Sequence, residues 1–469
     1  MSRLRASLAW LLPAGALVGS CGWLGLIEPT ETRYAEIARE MLASGDWLIP
    51  RLNGIPHFHK PPLGYWSAAS GMALLGVNEW GARLGAALAA GFVIWCTARM
   101  ARQTGGAPAP LAPAFLVSTI LFFVLSHQLA SDIFLAAAVA GFYAAVLDPR
   151  TRATLWPFIA LGVGFMAKGP VLFILTVAPV LLASAWARDA SPARALASWR
   201  GWLLFAAIAL PWYLAVMVKT PGLMSYFLHR QLWERYATTV HQRGGPIYYF
   251  LFVVLVGALP WTWAALRGWW NAARGAGRKN LQDAILASWV GLPILFFSSS
   301  GSKLPAYVLP VFPALALLAS CWPRPERRAH WLRIAAVTFA LLLALLAAAA
   351  PFSAQLGSPR SLAQSIKDVR RPGEHVVEYG VFNAGIPFYL GETVPMLEVE
   401  RDLGFEGTVA HQHAIITRGD LSSMVNTQGR TWVVGKEAAI QALASALGFK
   451  ATRMAGSGKQ SVLLLEQPG

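Results

Sequence analysis

The chain has little charge and very little cysteine. Of its 469 residues, 13% are charged, whereas soluble domains carry about 25%. Its three cysteines, Cys21, Cys96 and Cys321, lie in or beside apolar runs, and their spacing suits neither a disulfide framework nor a zinc-binding cluster. The scarcity of charge argues against a soluble domain, and we interpret the thiols as small core side chains.

Long apolar runs take the place of charge. The sequence is 56% hydrophobic with a mean hydropathy of +0.48, and runs near 20 residues recur, each long enough to cross a hydrocarbon core of about 30 Å. The pattern predicts a polytopic α-helical membrane protein with 11–13 spans, since several runs are short. We place spans at 8–27, 84–98, 109–126, 133–147, 155–167, 170–187, 202–218, 247–266, 282–299, 305–321 and 332–350.

The net charge of +16 could indicate a nucleic-acid partner, but the basic residues are spread through short loops between the spans. With a cytoplasmic N-terminus, every predicted inside loop is basic, as the positive-inside rule requires. We therefore predict no nucleic-acid partner, an uncleaved first span and an outside C-terminus. The predicted domains are a membrane domain at 1–350, with a first outer loop at 28–83, and an outer α/β domain at 351–469.

Both outer parts have predicted structure of their own. In the first loop, 32–42 has helical periodicity with Glu36 and Arg39 off the apolar face, and the apolar stretch 63–75 is too short to span comfortably. We expect two helices lying at the membrane surface. The tail reads as short strands and helices: strands near 375–380, 414–417, 431–435 and 461–465, and helices near 360–369 and 436–448.

Several basic residues depart from the inside bias because they fall on the predicted outer side. A ring of cations at one depth suits a phosphate or pyrophosphate headgroup. The alternative is that each side chain reaches from its span to the interface. These residues are Arg33, Lys60, Lys168, Arg235 and Lys303.

Two outer carboxylates are candidates for acid–base chemistry. Asp132 lies where an apolar run restarts, and a partly buried carboxylate there could act as a base or bind a metal; it could equally cap a helix. Glu31 could be a base or a first-turn acid that the helix dipole stabilises. With a carboxylate, His59 and His241 could hold Zn²⁺ or Mn²⁺, or they could be ordinary loop histidines.

Four segments together resemble one family. They are 31–47, beginning Glu-Thr-Arg-Tyr-Ala-Glu; 60–66, Lys-Pro-Pro-Leu-Gly-Tyr-Trp; 167–170, Ala-Lys-Gly-Pro; and 302–310, Ser-Lys-Leu-Pro-Ala-Tyr-Val-Leu-Pro. In this order they resemble the bacterial GT-C glycosyltransferases, and most closely the branch that transfers 4-amino-4-deoxy-L-arabinose to lipid A. That branch is related to protein O-mannosyltransferases.

The resemblance implies an inverting transfer of a sugar from a polyprenyl-phosphate carrier to an envelope acceptor such as lipid A. It places the protein in the bacterial inner membrane with the site on the periplasmic face. Glu31 or Asp132 would be the base, and His59, Asp132 and His241 would be the ligands of any metal. Arg33, Tyr34, Lys60, Lys168, Arg235 and Lys303 would bind carrier phosphate or sugar.

Two positions depart from the family pattern. Thr30 stands where members often have aspartate, and His59 stands where they often have the glutamate that helps to hold a metal. Two other functions remain open: a protein O-mannosyltransferase-like enzyme, and a transporter or lipid flippase. A transporter would more often show inverted repeats and ionisable groups at mid-span, and we find neither in the sequence.

Overall fold

The computed structural model describes residues 10–104, 110–227, 245–277, 279–399, 414–458 and 460–468. The chain forms two compact units. The first, the membrane unit, comprises 1–21, 60–64 and 85–345, and the second, the composite unit, comprises 22–59, 65–84 and 346–469. The composite unit thus combines the first loop with the tail. The domain division near residue 350 stays a prediction.

Helices dominate the chain up to residue 352, with 3₁₀ segments at Pro305–Val311, Pro325–Arg327 and Ala350–Phe352. In chain order the elements are α1 (Leu11–Ser20), α2 (Thr30–Ser44), β1 (Arg51–Leu52), β2 (Ile55–Pro56), α3 (Leu63–Leu75), α4 (Glu79–Gln103), α5 (Leu111–Val117), α6 (Ile120–Ser126), α7 (Ser131–Val146), α8 (Trp156–Lys168), α9 (Val171–Leu175), α10 (Val177–Ala187), α11 (Ser191–Leu196), α12 (Trp199–Lys219), α13 (Leu223–Ser225), α14 (Tyr249–Gly257), α15 (Thr262–Gly277), α16 (Leu281–Ser298), α17 (Phe312–Ser320) and α18 (Arg328–Ala349).

Among the described residues, four helical segments are long and apolar enough to cross a membrane: Glu79–Gln103, Trp199–Lys219, Leu281–Ser298 and Pro325–Phe352. Two sharply bent pairs, α6 with α7 and α14 with α15, raise the number to six if each pair is one span. Most of the remaining predicted spans correspond to shorter apolar helices, because prolines and bends interrupt the runs. The predicted count of 11–13 spans stays a prediction.

The membrane unit has two distinguishable ends. The Arg99 guanidinium, near the end of α4, pairs with Asp148, just beyond α7, at 3.1 Å. The Arg152 guanidinium, in the next turn, donates to the Ser191 hydroxyl at 2.9 Å. We call this the Asp148 end. Asp132, in the first turn of α7, therefore lies at the opposite end, which we call the Asp132 end.

The tail is a small α/β fold, as the sequence predicts. Its elements are α19 (Arg360–Lys367), β3 (His375–Tyr379), α20 (Gly385–Leu390), β4 (Met396–Leu397), β5 (Ile415–Ile416), α21 (Arg418–Gln428), β6 (Arg430–Gly435), α22 (Glu437–Leu447), β7 (Lys450–Ser457) and β8 (Gln460–Glu466). The six strands form one sheet in the order β5-β4-β3-β6-β8-β7. The pairs β5–β4, β4–β3 and β3–β6 are parallel, whereas β6–β8 and β8–β7 are antiparallel.

The core of the tail lies between this sheet and the two helices α21 and α22. Val377, Val433 and Leu463, from β3, β6 and β8, pack against Leu421 and Ile440 of those helices. The alternation of buried and exposed residues was weak in β7, which is an edge strand and mostly exposed. For that reason the sequence did not predict it.

The motif helix α2 forms where predicted, but its charged residues are not on a solvent face. Glu36 is fully buried and Arg39 is 8% exposed. The Arg39 guanidinium donates to both Glu36 carboxylate oxygens at 2.7 Å and to the Gly391 carbonyl at 3.0 Å. The helix is therefore packed on its charged side as well, and the interfacial orientation expected from its periodicity describes only part of its surroundings.

A tight hairpin follows α2. Asn53 and Gly54 join β1 to β2 with φ angles of 54° and 80°, as a two-residue turn of left-handed residues requires. The Asn53 side chain then pairs with the backbone of Val394, donating to its carbonyl at 2.7 Å and accepting from its N–H at 2.8 Å. This amide fixes the hairpin to the tail.

Candidate functional site

Asp132 is presented by a sharp bend in the chain. Helices α6 and α7 meet at 117° across residues 127–130, and Asp132 is the acidic residue in the first turn of α7. The buried His127 ring holds the bend: Nδ1 lies 2.8 Å from the Phe123 carbonyl, and Nε2 lies 2.8 Å from the Ser20 hydroxyl. Because a carbonyl oxygen only accepts, Nδ1 is the donor in its contact with Phe123.

Lys168 is the ion-pair partner of Asp132. It is the last residue of α8, and its ammonium contacts Asp132 Oδ1, with both side chains largely buried at 11% and 14% exposure. Gly169 then ends the helix at φ 75° and ψ −150°, a conformation that only glycine adopts readily. The Ala-Lys-Gly-Pro motif thus stops α8 directly after the lysine and holds the ammonium at the Asp132 end.

The Ser-Lys-Leu-Pro-Ala-Tyr motif meets the same pair. The Lys168 ammonium lies 4.4 Å from the ring centroid of Tyr307, within cation–π range. Lys303, from the same motif, is 8% exposed and donates to the Ser300 carbonyl at 2.6 Å. Three predicted site residues, Asp132, Lys168 and Lys303, therefore lie in the membrane unit with well-defined contacts, and Asp132, Lys168 and Tyr307 form one cluster.

Glu31 occupies a different setting, inside the composite unit. It is 3% exposed, and Arg83 donates to both of its oxygens at 2.7 Å. Oε2 also accepts the Ile27 N–H at 3.0 Å, and the same guanidinium donates to the carbonyls of Leu24 and Gly25 at 2.6 and 3.0 Å. The pair ties the chain before α2 to the start of α4. Both oxygens of Glu31 thus accept hydrogen bonds within the composite unit.

The composite unit holds a second buried carboxylate. Glu79 is 6% exposed; it accepts from the Tyr389 hydroxyl at 3.0 Å and lies 3.3 Å from the Arg360 guanidinium. The Leu26 N–H donates to the same hydroxyl at 2.9 Å. Burial raises the pKa of Tyr389, with Glu79 adding to the effect, so Tyr389 remains a neutral donor.

For the remaining predicted site residues the structure gives burial and one ring contact. Lys60 and Arg33 are half-buried, and Lys60 is followed at once by Pro61 and Pro62 before α3. Tyr34 is buried, with its ring centroid 4.8 Å from that of Tyr65. Arg235 and His241 lie outside the described residues.

Of the three predicted metal ligands, His59 and Asp132 lie within the described residues. The His59 ring packs on His57, with centroids 3.9 Å apart. Within the described ranges, no group of three or more histidine, cysteine, aspartate or glutamate side chains is arranged to hold a metal ion. Because the described donors do not fit a metal centre, we derive no chemistry through a metal.

Comparison with known proteins identifies relatives. Residues 59–215 match the family model described as dolichyl-phosphate-mannose-protein mannosyltransferase. The undecaprenyl phosphate-alpha-4-amino-4-deoxy-L-arabinose arabinosyl transferase of Edwardsiella ictaluri is 35% identical over 310 residues, covering 62% of this chain and 54% of the relative. A transferase of the same description from Sodalis glossinidius is 34% identical over 332 residues, covering 68% and 57%. The chain is similar to these transferases over about two thirds of its length.

A solved structure shows the fold over the whole length. The crystal structure of ArnT from Cupriavidus metallidurans bound to undecaprenyl phosphate aligns with 99% of this chain and 98% of its own, with a TM-score of 0.86 and 24% identity. The predicted fold class, a helical membrane protein with a small C-terminal α/β domain, is confirmed. The chain spans a little over half the length of the curated relatives it matches.

Two site residues were missed from the sequence. Tyr307 was present in a motif but was interpreted only as part of a family signature, and a tyrosine four residues after a motif lysine was the available signal. Arg83 was not considered, although an arginine near the start of an apolar helix needs a buried acceptor. Pairing across 52 residues of sequence cannot be inferred from local pattern.

Proposed function

We propose that the chain is an inverting glycosyltransferase that moves a sugar from a polyprenyl-phosphate carrier to an envelope acceptor such as lipid A. The family and the activity named for its relatives support this class of donor. The single observation that carries the assignment is the Asp132–Lys168–Tyr307 cluster. It combines a carboxylate with a cation at one end of the helices, as transfer from a phosphate leaving group requires.

Asp132 is the base in this proposal. The acceptor hydroxyl gives its proton to the Asp132 carboxylate while its oxygen forms a bond to the anomeric carbon. The bond from that carbon to the carrier phosphate breaks, and the electron pair leaves with the phosphate. Lys168 lies against the Asp132 carboxylate and balances its charge.

The departing phosphate needs positive charge close to its oxygens. We assign this role to Lys60, with Lys303 as a further candidate from the motifs in the membrane unit. Glu31 is not the base in this proposal, because its oxygens accept hydrogen bonds from Arg83 and the Ile27 N–H. Of the two carboxylates that the sequence offered as base, the contacts thus favour Asp132.

The positions of the arginines indicate which side of the membrane each end of the helices faces. We infer the bacterial inner membrane, with the Asp148 end toward the cytoplasm, since Arg99 and Arg152 lie at that end and basic residues favour the inside. The Asp132 cluster then faces the periplasm, as does the tail. Carrier-linked sugars, lipid A and membrane lipids are the partners this orientation makes available.

Mass spectrometry of envelope lipids tests the function. Cells with and without the gene are compared, and lipid A that gains one pentose or aminopentose mass only when the wild-type chain is present supports the proposal. The Asp132→Asn variant should lose the added mass while Asp148→Asn, which removes a carboxylate at the opposite end, keeps it. Unchanged lipid A, glycan and protein masses would reject a transferase.

The same experiment separates a second acceptor class. The family model that matches residues 59–215 is described as a protein mannosyltransferase, so a polypeptide acceptor is the competing assignment. Glycopeptides bearing a hexose on serine or threonine, with lipid A unmodified, would favour it. The Asp132 chemistry is the same in both cases, because each acceptor attacks through a hydroxyl oxygen.

A further inference from the structure

A cavity of about 160 Å³ lies in the membrane unit, between the middle of α15, the start of α16 and the end of α17. The Gln282 amide donates to the Thr104 carbonyl just beyond α4 at 3.0 Å, which places the cavity at the Asp148 end. It is lined by Thr104, Arg267, Gly268, Asn271, Ala272, Gln282, Asp283, Leu286, Leu317, Leu318, Cys321 and Trp322. The cavity is therefore remote from the Asp132 cluster along the helices.

Two opposite charges line this cavity without pairing to each other. Arg267 is exposed and Asp283 is half-buried, and in the part of the chain that the structure describes neither has a salt-bridge partner. Asp283 is partly removed from water, and a charge in that setting without a partner is costly. An occupant that carries both signs would satisfy both groups.

The position of Asp283 is set by close packing. It lies in the first turn of α16, where its N–H donates to the Asn280 side chain at 3.2 Å. Its carboxylate lies against Gly275 of α15, so closely that a Cβ at residue 275 would collide with it. The carboxylate therefore lies where α15 and α16 pack closely, beside the cavity.

The rest of the cavity suits a lipid. Leu286, Leu317 and Leu318 supply an apolar wall, and Trp322 at the rim is 41% exposed. On α15, Trp270 is 53% exposed, and the Arg274 guanidinium lies 4.9 Å from its ring. Exposed tryptophan with arginine is typical of the membrane–water interface, so a headgroup could enter while its acyl chains stay in the bilayer.

We propose that this cavity binds the headgroup of a zwitterionic phospholipid that carries a primary ammonium, of the phosphatidylethanolamine class. Arg267 and the Asn271 amide bind the phosphate, and Asp283 accepts hydrogen bonds from the ammonium. A choline headgroup has the same net charge but no N–H to donate. A glycerol headgroup has the phosphate but no cation, so it leaves Asp283 uncompensated.

Lipid titration of the purified full chain in detergent tests the site. Retained lipid is counted by native mass spectrometry for phosphatidylethanolamine, phosphatidylcholine and phosphatidylglycerol of equal chain length. Wild type should bind the ethanolamine lipid about tenfold more tightly than the other two, the effect of one charge-assisted hydrogen bond. Asp283→Asn should remove the preference, and Arg267→Gln should weaken binding of all three lipids.

Arg324→Gln is the matched control, because Arg324 is exposed just beyond α17 but does not line the cavity. It should bind all three lipids as wild type does. Equal binding of the three lipids by wild type, an unchanged preference in Asp283→Asn, or an equal loss in Arg324→Gln would each overturn the proposal in favour of unspecific lipid contact.

A second measurement needs no variant. Mono-, di- and trimethylation of the ethanolamine nitrogen should weaken binding to wild type stepwise, since each methyl removes a donor. No change across that series would also overturn the site. None of these readouts uses sugar transfer, so the outcome is independent of the proposed function.

Discussion

Both carboxylate oxygens of Glu31 accept hydrogen bonds from the Arg83 guanidinium, at 2.7 Å each, and both side chains are almost fully buried. Glu31 is thus part of an ion pair inside the composite unit. A buried pair of this kind contributes little net stability, but removal of one partner leaves a charge without compensation. The first prediction follows from that asymmetry.

Arg83→Gln should destabilise the composite unit by about 3–5 kcal/mol, because Glu31 is left buried and unpaired. The double variant Glu31→Gln with Arg83→Gln should be more stable than the sum of the two single changes indicates. Thermal unfolding of the purified wild type, both single variants and the double variant completes this double-mutant cycle. Additive effects would show that the two side chains are not energetically coupled.

Asp132→Asn should lower the rate of sugar transfer by about 10²–10⁴-fold, the usual contribution of a general base. The amide keeps the shape of the carboxylate but cannot take the proton. Carrier binding should change little. Glu31→Gln is the informative comparison: if it loses transfer as completely as Asp132→Asn at unchanged stability, Glu31 and not Asp132 is the base.

Lys60→Ala should weaken binding of the carrier phosphate, because the two following prolines fix the backbone that presents this cation. The measurement is KM for the carrier-linked sugar together with direct binding of polyprenyl phosphate. Lys219→Ala, which removes an exposed lysine at the end of α12, serves as the control and should behave as wild type. Equal KM values in the two variants would exclude a phosphate-binding role for Lys60.

Glu378 should make the stability of the tail depend on pH. It is fully buried on β3 and accepts only from the Asn383 N–H among the hydrogen bonds seen, at 3.1 and 3.0 Å. Burial raises its pKa well above the usual carboxyl range, and the nearby carboxylates Glu28 and Glu36 add to the effect. The native state therefore binds a proton that the unfolded state has released, and unfolding free energy falls as pH rises above the usual carboxyl range.

Hydrogen exchange of β3 peptides across pH, corrected for intrinsic rates, measures this dependence in the full chain. The slope should approach about 1.4 kcal/mol per pH unit at most, and Glu378→Gln should flatten it. Glu466→Gln, which changes a more exposed carboxylate on the same sheet, should keep the slope. A slope that survives Glu378→Gln would assign the effect to another group.

A reporter fused after Gly469 tests the orientation. The arginine asymmetry puts the tail outside, so alkaline phosphatase at that position should be active and a cytoplasm-dependent reporter inactive. A fusion after Arg150, between α7 and α8, should show the opposite pattern. Cytoplasmic activity at both positions would refute the topology.

Helical periodicity and strand alternation predicted the fold class and most elements of the tail. Helices α19 and α22 and strands β3, β6 and β8 lie within a few residues of their expected positions. These elements have one apolar face and one polar face, which is the signal that local pattern carries. Edge strand β7 has no such contrast, and the bends between α6 and α7 and between α14 and α15 depend on packing partners elsewhere in the chain.

The site was predictable as a set of motifs but not as a set of contacts. Lys168 and Asp132 were each candidates, yet their pairing depends on the antiparallel packing of α7 and α8, which the sequence pattern does not encode. In α2 the polar residues Glu36 and Arg39 suggested a solvent face. Both can be buried because their charges and hydrogen bonds are paired with each other. A prediction from hydrophobicity alone does not detect such a pair.

The composite unit also imposes an order on biosynthesis. Its first segment, 22–84, leaves the ribosome some 260 residues before the second begins at 346. Until residues 385 and 394 have been made, Glu28 lacks the Gly385 N–H and Asn53 lacks the Val394 backbone. Residues 22–84 can therefore complete these contacts only in the final quarter of translation, and a chain that stops before residue 385 would lack both of them.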